Sequence, residues 1–169
     1  MRTDDPADAP LVVVMGIAGV GKTATGTLLA KRLGVAYEDA DVFHPQANID
    51  KMASGTPLTD EDRWPWLEAI GAWLAEHEPT GGVVSCSALR RAYRDVLRNA
   101  APRVVFLHLH GDPDLIRSRM EAREDHFMPP SLLTSQQQTL EPLQPDERGK
   151  AYDVSNTPDQ IVRAFVADS

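Results

Sequence analysis

A single cysteine, Cys86, is all the chain carries, so an internal disulfide is excluded. Its setting, Val83-Val84-Ser85-Cys86-Ser87, is a strand end, and a buried, inert thiol is the expected state. No apolar run is long enough to cross a bilayer. Residues 1–10 lack the basic start and apolar centre of a secretory leader. They read as a frayed tail, and a cytoplasmic location is expected. Internal repeats and low-complexity segments are missing as well. Positive charge is scarce: 17 basic against 25 acidic side chains give a formal charge of −8. That balance argues against nucleic acid as the main partner, because phosphate backbones select basic surfaces. An anionic ligand must instead meet a local basic cluster, and two are present, Arg90-Arg91 with Arg94, and Arg117 with Arg119 and Arg123. Either is otherwise a solvated helix face.

What remains is ordinary globular material, 42% hydrophobic and 25% charged over 169 residues. One domain over 11–169 is expected, with about two-thirds of its unfolded surface buried. Its organising stretch is Gly16-Ile17-Ala18-Gly19-Val20-Gly21-Lys22-Thr23, which fits G-x-x-x-x-G-K-[ST]. The aliphatic run Leu11-Val12-Val13-Val14-Met15 precedes it, as a buried parallel strand would, and Thr23, Ala24, Leu28, Leu29, Ala30 and Leu33 follow with the spacing of one helix face. Glycines let this loop turn its N–H groups inward around an anion. The helix starting near Gly21 adds its own unpaired N–H groups and the positive end of its dipole. Lys22 then reaches the β- and γ-phosphates of a nucleotide, and Thr23 ligates Mg²⁺. A glycine-rich turn without ligand is the alternative.

Val35 to Asp39 is a short strand whose carboxyl end carries Asp39-Ala40-Asp41. In an open parallel sheet ligands bind at that edge, so two alternating carboxylates suggest Mg²⁺ and hydroxyl chemistry. An acidic turn capping the next helix is the other reading. Pro45 opens a helix that Gly55 closes. The following helix buries Leu67, Ile70 and Leu74 and tolerates Pro65 only in its first turn. Trp64, Trp66 and Trp73 read as packing residues, and His77 as a surface one. Strands at 83–86, 104–109 and 151–154 alternate with helices at 88–100, 113–120, 131–140 and 159–167. His108 and His110 alternate without a further ligand cluster, which speaks against metal there. The segment Glu124-Asp125-His126-Phe127-Met128-Pro129-Pro130 interrupts the apolar pattern like a flap over the phosphate site. The pattern predicts an α/β fold, a five-stranded parallel sheet with helices on both faces.

These residues resemble the gluconokinases, adenylate-kinase-like phosphate-loop kinases of small molecules. Beyond Gly16 to Thr23, the resemblance rests on Asp39-x-Asp41-x-x-His44-Pro45-x-x-Asn48-x-x-Lys51-Met52 and on Gly55-x-Pro57-Leu58-x-Asp60-x-Asp62-Arg63-x-Pro65-Trp66-Leu67. It continues in Cys86-Ser87-Ala88-Leu89-Arg90-x-x-Tyr93-Arg94-Asp95 and in Arg123-x-x-His126-Phe127-Met128. Ala40, Glu124-Asp125 and Gln137 depart from the usual pattern. The resemblance implies a three-layer phosphate-loop NTPase fold of the adenylate-kinase and shikimate-kinase type, with a small lid near 124–130. It implies ATP-dependent phosphorylation of the 6-hydroxyl of D-gluconate, in a homodimer. In that scheme Gly16, Ile17, Ala18, Gly19, Val20, Gly21, Lys22 and Thr23 hold ATP together with Arg119 and Arg123. Thr23 and Asp39 serve Mg²⁺. Lys22, Asp41 and Arg123 act on the moving phosphoryl group and the acceptor hydroxyl, while Asp41, His44, Arg63, Arg90 and His126 receive gluconate. A kinase for another small hydroxy acid such as shikimate shares much of this, and a non-catalytic nucleotide-binding regulator would keep the loop and lose the acceptor side.

Overall fold

A computed structural model of the chain describes residues 9–121 and 130–168. Five parallel strands lie in the order β2-β3-β1-β4-β5. They are β1 (Leu11–Met15), β2 (Ala36–Asp39), β3 (Gly82–Ser85), β4 (Val105–His110) and β5 (Gly149–Asp153). β1 is central, pairing Leu11 with Gly82 on one side and Val12 with Val105 on the other. Flanked on both edges and covered on both faces, it can be aliphatic throughout, which is why its sequence does not alternate.

Period two still decides which layer each of its side chains joins. Val12 and Val14 enter a core with Leu29 of α1 (Lys22–Leu33), Ile116 of α5 (Pro113–Glu121), Leu133 of α6 (Pro130–Thr139) and Ile161 and Phe165 of α7 (Pro158–Asp168). Leu11, Val13 and Met15 enter the opposite core with Leu67, Ile70 and Leu74 of α3 (Asp60–Glu76) and Leu97 of α4 (Arg91–Ala100). A short α2 (Gln46–Ala53) completes the elements and, as expected, runs between Pro45 and a Gly55 at φ 79°.

Three element starts differ from the sequence expectation by more than one residue. α3 starts at Asp60, so Pro65 is its sixth residue rather than part of the first turn. A capping box fixes that start: the Thr59 hydroxyl accepts from the Asp62 N–H at 3.2 Å, and the Thr59 N–H donates to the Asp62 carboxylate at 2.9 Å. Glu61 and Pro65 are both exposed, so the helix bond that proline removes falls where water can replace it. α4 starts at Arg91, not Ala88, because Ala88 takes φ 44°, outside the helical range. β5 begins at Gly149, two residues earlier than expected, and ends at Asp153.

Candidate active site

The loop from Gly16 to Gly21 rises from the carboxyl end of β1 and is moulded by close contacts. A Cβ on Gly16 would lie 2.6 Å from the Leu109 carbonyl oxygen, and one on Gly19 would lie 2.5 Å from the Met120 side chain of α5. Gly21 caps α1 at φ 88°, and no acidic residue occupies the first turn, so the positive helix end is left open to an anion. Lys22 Nζ donates to the carbonyls of Gly16 and Ile17, each at 2.9 Å. Burial lowers the Lys22 ammonium to about 8, against the pull of Asp41 and Asp39. Beneath it, burial pushes the Cys86 thiol up to about 12, an inert neutral group. One contact has no signal in the sequence pattern: the Ala18 N–H donates to the Gln136 side-chain carbonyl of α6 at 2.7 Å.

Beside the loop, Tyr37 of β2 donates to Ser85 of β3 at 2.8 Å, and Ser85 donates to the Lys22 carbonyl at 3.0 Å. These bonds hold the end of β2 against the start of α1. Asp39 closes β2 and caps a 3-10 turn over Ala40–Phe43, its Oδ1 accepting from the Asp41 N–H at 2.9 Å. The acidic-cap reading and the ligand reading therefore meet in one residue, since Oδ2 is left for another partner. Withdrawal from water, and after it the Asp39 charge, push the Asp41 carboxyl above the usual carboxylate range, while His44 and Lys22 oppose. Trp66 supports the turn from below by donating to the Ala40 carbonyl at 2.7 Å.

His44 stacks on Trp66 with ring centroids 4.4 Å apart. Its Nδ1 lies 3.2 Å from the amide nitrogen of buried Asn48, which also donates to the Asp62 carbonyl at 2.9 Å. An amide nitrogen only donates, so His44 Nδ1 is the acceptor and the neutral ring carries its proton on Nε2. Burial lowers the His44 pKa, so that neutral form is favoured at pH 7. Lys51 pairs with Asp62 at 2.7 Å, holding that carboxyl down to about 2.

Farther along, the acidic side chain Asp60 sits between two guanidinium groups, Arg63 at 3.7 Å and Arg90 at 3.9 Å. Tyr93 donates to Asp60 at 2.5 Å and accepts from Arg63 at 3.2 Å. A ligand carboxylate would find both arginines already facing one anion.

The rest of the Arg90 cluster serves otherwise. Arg91 pairs with Asp146 and Asp95 at 2.6 and 2.9 Å. Arg94 is a buried structural ion rather than part of a solvated face. It donates to Glu147 at 2.6 and 3.2 Å and to the carbonyls of Ala88 and Pro142, all in a region without solvent access to either side chain. His77 is half-buried on Trp73, ring centroids 3.9 Å apart, because the helix end folds it back over the indole. His108 is buried with its Nε2 unpartnered among the described residues, 5.9 Å in ring distance from His110, and burial lowers it to about 4. Arg119 is exposed on α5, one residue from the Met120 that packs on Gly19. Arg123, His126 and most of the expected flap at 124–130 lie outside the described residues.

Thus Lys22, Asp39, Asp41 and His44 lie within electrostatic reach of one another, His44 also feels Arg63, and Asp60 joins Arg63 to Arg90. Among the described residues no three His, Cys, Asp or Glu side chains cluster to hold a metal by themselves. The Thr23 hydroxyl and Asp39 carboxylate fit Mg²⁺ nonetheless, since that ion takes hard oxygen donors, one or two carboxylates and the phosphates it accompanies. A phosphate cradle facing carboxylates and then arginines on a five-stranded parallel sheet defines a phosphate-loop kinase of small molecules.

Comparison narrows the class. The family model for shikimate kinase matches residues 18–161. The thermosensitive gluconokinase of Escherichia coli (strain K12) is 41% identical over 162 residues, covering 92% of this chain and 87% of that protein. The gluconokinase of Gluconobacter oxydans (strain 621H) is 42% identical, covering 93% and 92%. The crystal structure of a gluconokinase from Sinorhizobium meliloti 1021 superposes with a TM-score of 0.86 at 47% identity, covering 94% of this chain and 90% of that one. The chain belongs to the gluconokinase family, within the shikimate-kinase-like group.

Proposed function

We propose that this enzyme transfers the terminal phosphoryl group of Mg²⁺-bound ATP to the 6-hydroxyl of D-gluconate, giving 6-phospho-D-gluconate and ADP. The observation that carries the reading is the placement of Asp41 between the phosphate-loop lysine, whose charge it feels, and His44 with Arg63 beyond. In this scheme Lys22 leaves the carbonyls of Gly16 and Ile17 for the phosphates, supported by the loop N–H groups of Gly16, Ile17, Ala18, Gly19, Val20 and Gly21. Arg119 and Arg123 attend the nucleotide from the side of α5.

The acceptor oxygen forms its bond to the terminal phosphorus as the bond to the bridging oxygen of ADP breaks, and the hydroxyl proton passes to Asp41. A carboxyl with a raised pKa is suited to holding that proton. Mg²⁺, held by Thr23 and Asp39, would neutralise charge on the phosphates. His44 Nε2–H donates to a gluconate hydroxyl, Arg63 and Arg90 pair with its carboxylate, and His126 joins them. The acting species is a homodimer, a reading that rests on the family resemblance and that sedimentation tests.

The test is ATP turnover with gluconate, with shikimate and with no acceptor. Turnover with gluconate alone is expected. Turnover only with shikimate would reassign the acceptor, and nucleotide binding without turnover on either would make the chain a regulator.

A further inference from the structure

We propose that Gln136 is a ligand of the terminal phosphoryl group, contacting it during transfer from the position its side chain holds against the loop. The inference rests on the kinase reading above. Its starting point is the 2.7 Å bond from the Ala18 N–H to Gln136 Oε1, which joins two residues 118 apart in sequence. A phosphate loop works by aiming its N–H groups at phosphate oxygens. Here one of them is already satisfied by a carbonyl oxygen from another element. Ala18 lies at the terminal end of the cradle: the Lys22 ammonium, whose reach is to the β- and γ-phosphates, rests on the carbonyls of Gly16 and Ile17 immediately before it.

Gln136 is also held in place. Leu133, one turn earlier on α6, is buried in the core that β1 shares with α1 and α5. Just past the helix end, the Glu141 N–H donates to the Leu89 carbonyl and its carboxylate accepts from the Arg91 N–H, each at 2.7 Å. α6 is thereby tied at one end to the residues flanking Arg90, on the acceptor side, and through Gln136 to the donor side.

A primary amide suits both states. Its oxygen accepts from Ala18 when no phosphate is present. Rotated about its last torsion, it offers N–H₂ to a phosphoryl oxygen that has displaced it. A carboxylate in the same place could do only the first and would repel the nucleotide.

The test combines calorimetric binding of ADP and of a non-hydrolysable ATP analogue with steady-state kinetics of Gln136→Ala and Gln136→Glu. Gln136→Glu should weaken the analogue by roughly tenfold or more and ADP by less than about threefold, because only the analogue carries the displacing phosphate. Gln136→Ala should lower kcat by roughly tenfold while KM for gluconate moves less than about twofold, as expected of a bond to the moving phosphoryl group that touches no part of the acceptor. A kcat for Gln136→Ala within about twofold of wild type, or equal weakening of ADP and analogue by Gln136→Glu, would overturn the proposal. Failure of the acceptor reading would show separately, as a wild-type protein that binds both nucleotides and leaves gluconate untouched.

Discussion

Mg²⁺-ATP binding should draw a proton from solution, and Lys22 is the reason. Burial holds this ammonium at about 8 rather than the ordinary 10.5, so near pH 8 about half of the molecules carry a neutral amine until nucleotide binds. Polyphosphate beside Nζ restores the charge. Uptake should then be about 0.1 proton at pH 7, 0.5 at pH 8 and 0.9 at pH 9, and affinity should fall as pH rises above 8. In energy, the displacement corresponds to at most about 3 kcal/mol that the fold forgoes to keep the group charged and that nucleotide recovers.

The stability sign follows: the unfolded chain binds more protons between pH 8 and 10.5, so the Lys22 contribution to stability rises with pH across that window. The assay is calorimetry in two buffers of different ionisation heat at each pH. Lys22→Arg is the control, since a guanidinium keeps its proton throughout and should show no uptake from this position. Equal uptake by wild type and Lys22→Arg at pH 8, or uptake that does not grow with pH, would refute the reasoning.

Other outcomes follow from the same geometry. Glu147→Gln strands the fully buried Arg94 guanidinium, and should cost about 3–5 kcal/mol in denaturant unfolding, whereas an apolar replacement of both partners should restore most of it. Asp41→Asn should lower turnover roughly 10²–10⁴-fold with nucleotide binding retained in calorimetry. Asp39→Asn should instead raise the Mg²⁺ concentration needed for half-maximal rate, and a defect in Asp41→Asn cured by excess Mg²⁺ would mean the two roles are exchanged. Gly19→Ala places a methyl 2.5 Å from Met120 at φ 86°, and should weaken nucleotide binding measurably by fluorescence titration.

The parts legible in the sequence are those whose cause is local. Eight consecutive residues specify the phosphate loop, and the strand before and helix after it stand where the pattern puts them. Asp39 and Asp41 sit together at a strand end because three residues fix their separation. What escaped the sequence depends on distant partners. Arg94 reads as one member of a basic helix face, and nothing near it indicates that Glu147, 53 residues later, buries it as an ion pair. The helix expected from Ala88 starts at Arg91, because the Arg94 bond to the Ala88 carbonyl belongs to a turn that apolar spacing does not register. Pro65 suggests a late start to α3, but the Thr59–Asp62 capping box outweighs it. Gln136 appears only as a polar helix position until the fold brings it to Ala18.

The middle position of β1 also has a consequence for how the chain is made. The strand that carries the phosphate loop leaves the ribosome first among the five, yet its neighbours β3 and β4 begin roughly 70 and 90 residues later. Until β4 has emerged, Leu11-Val12-Val13-Val14-Met15 has at least one open edge, and it is a short, uncharged, β-prone segment of the kind that pairs with copies of itself. Nascent chains stalled before residue 105 should therefore engage holdase chaperones, whereas chains released beyond β4 can shield both edges of the strand on their own.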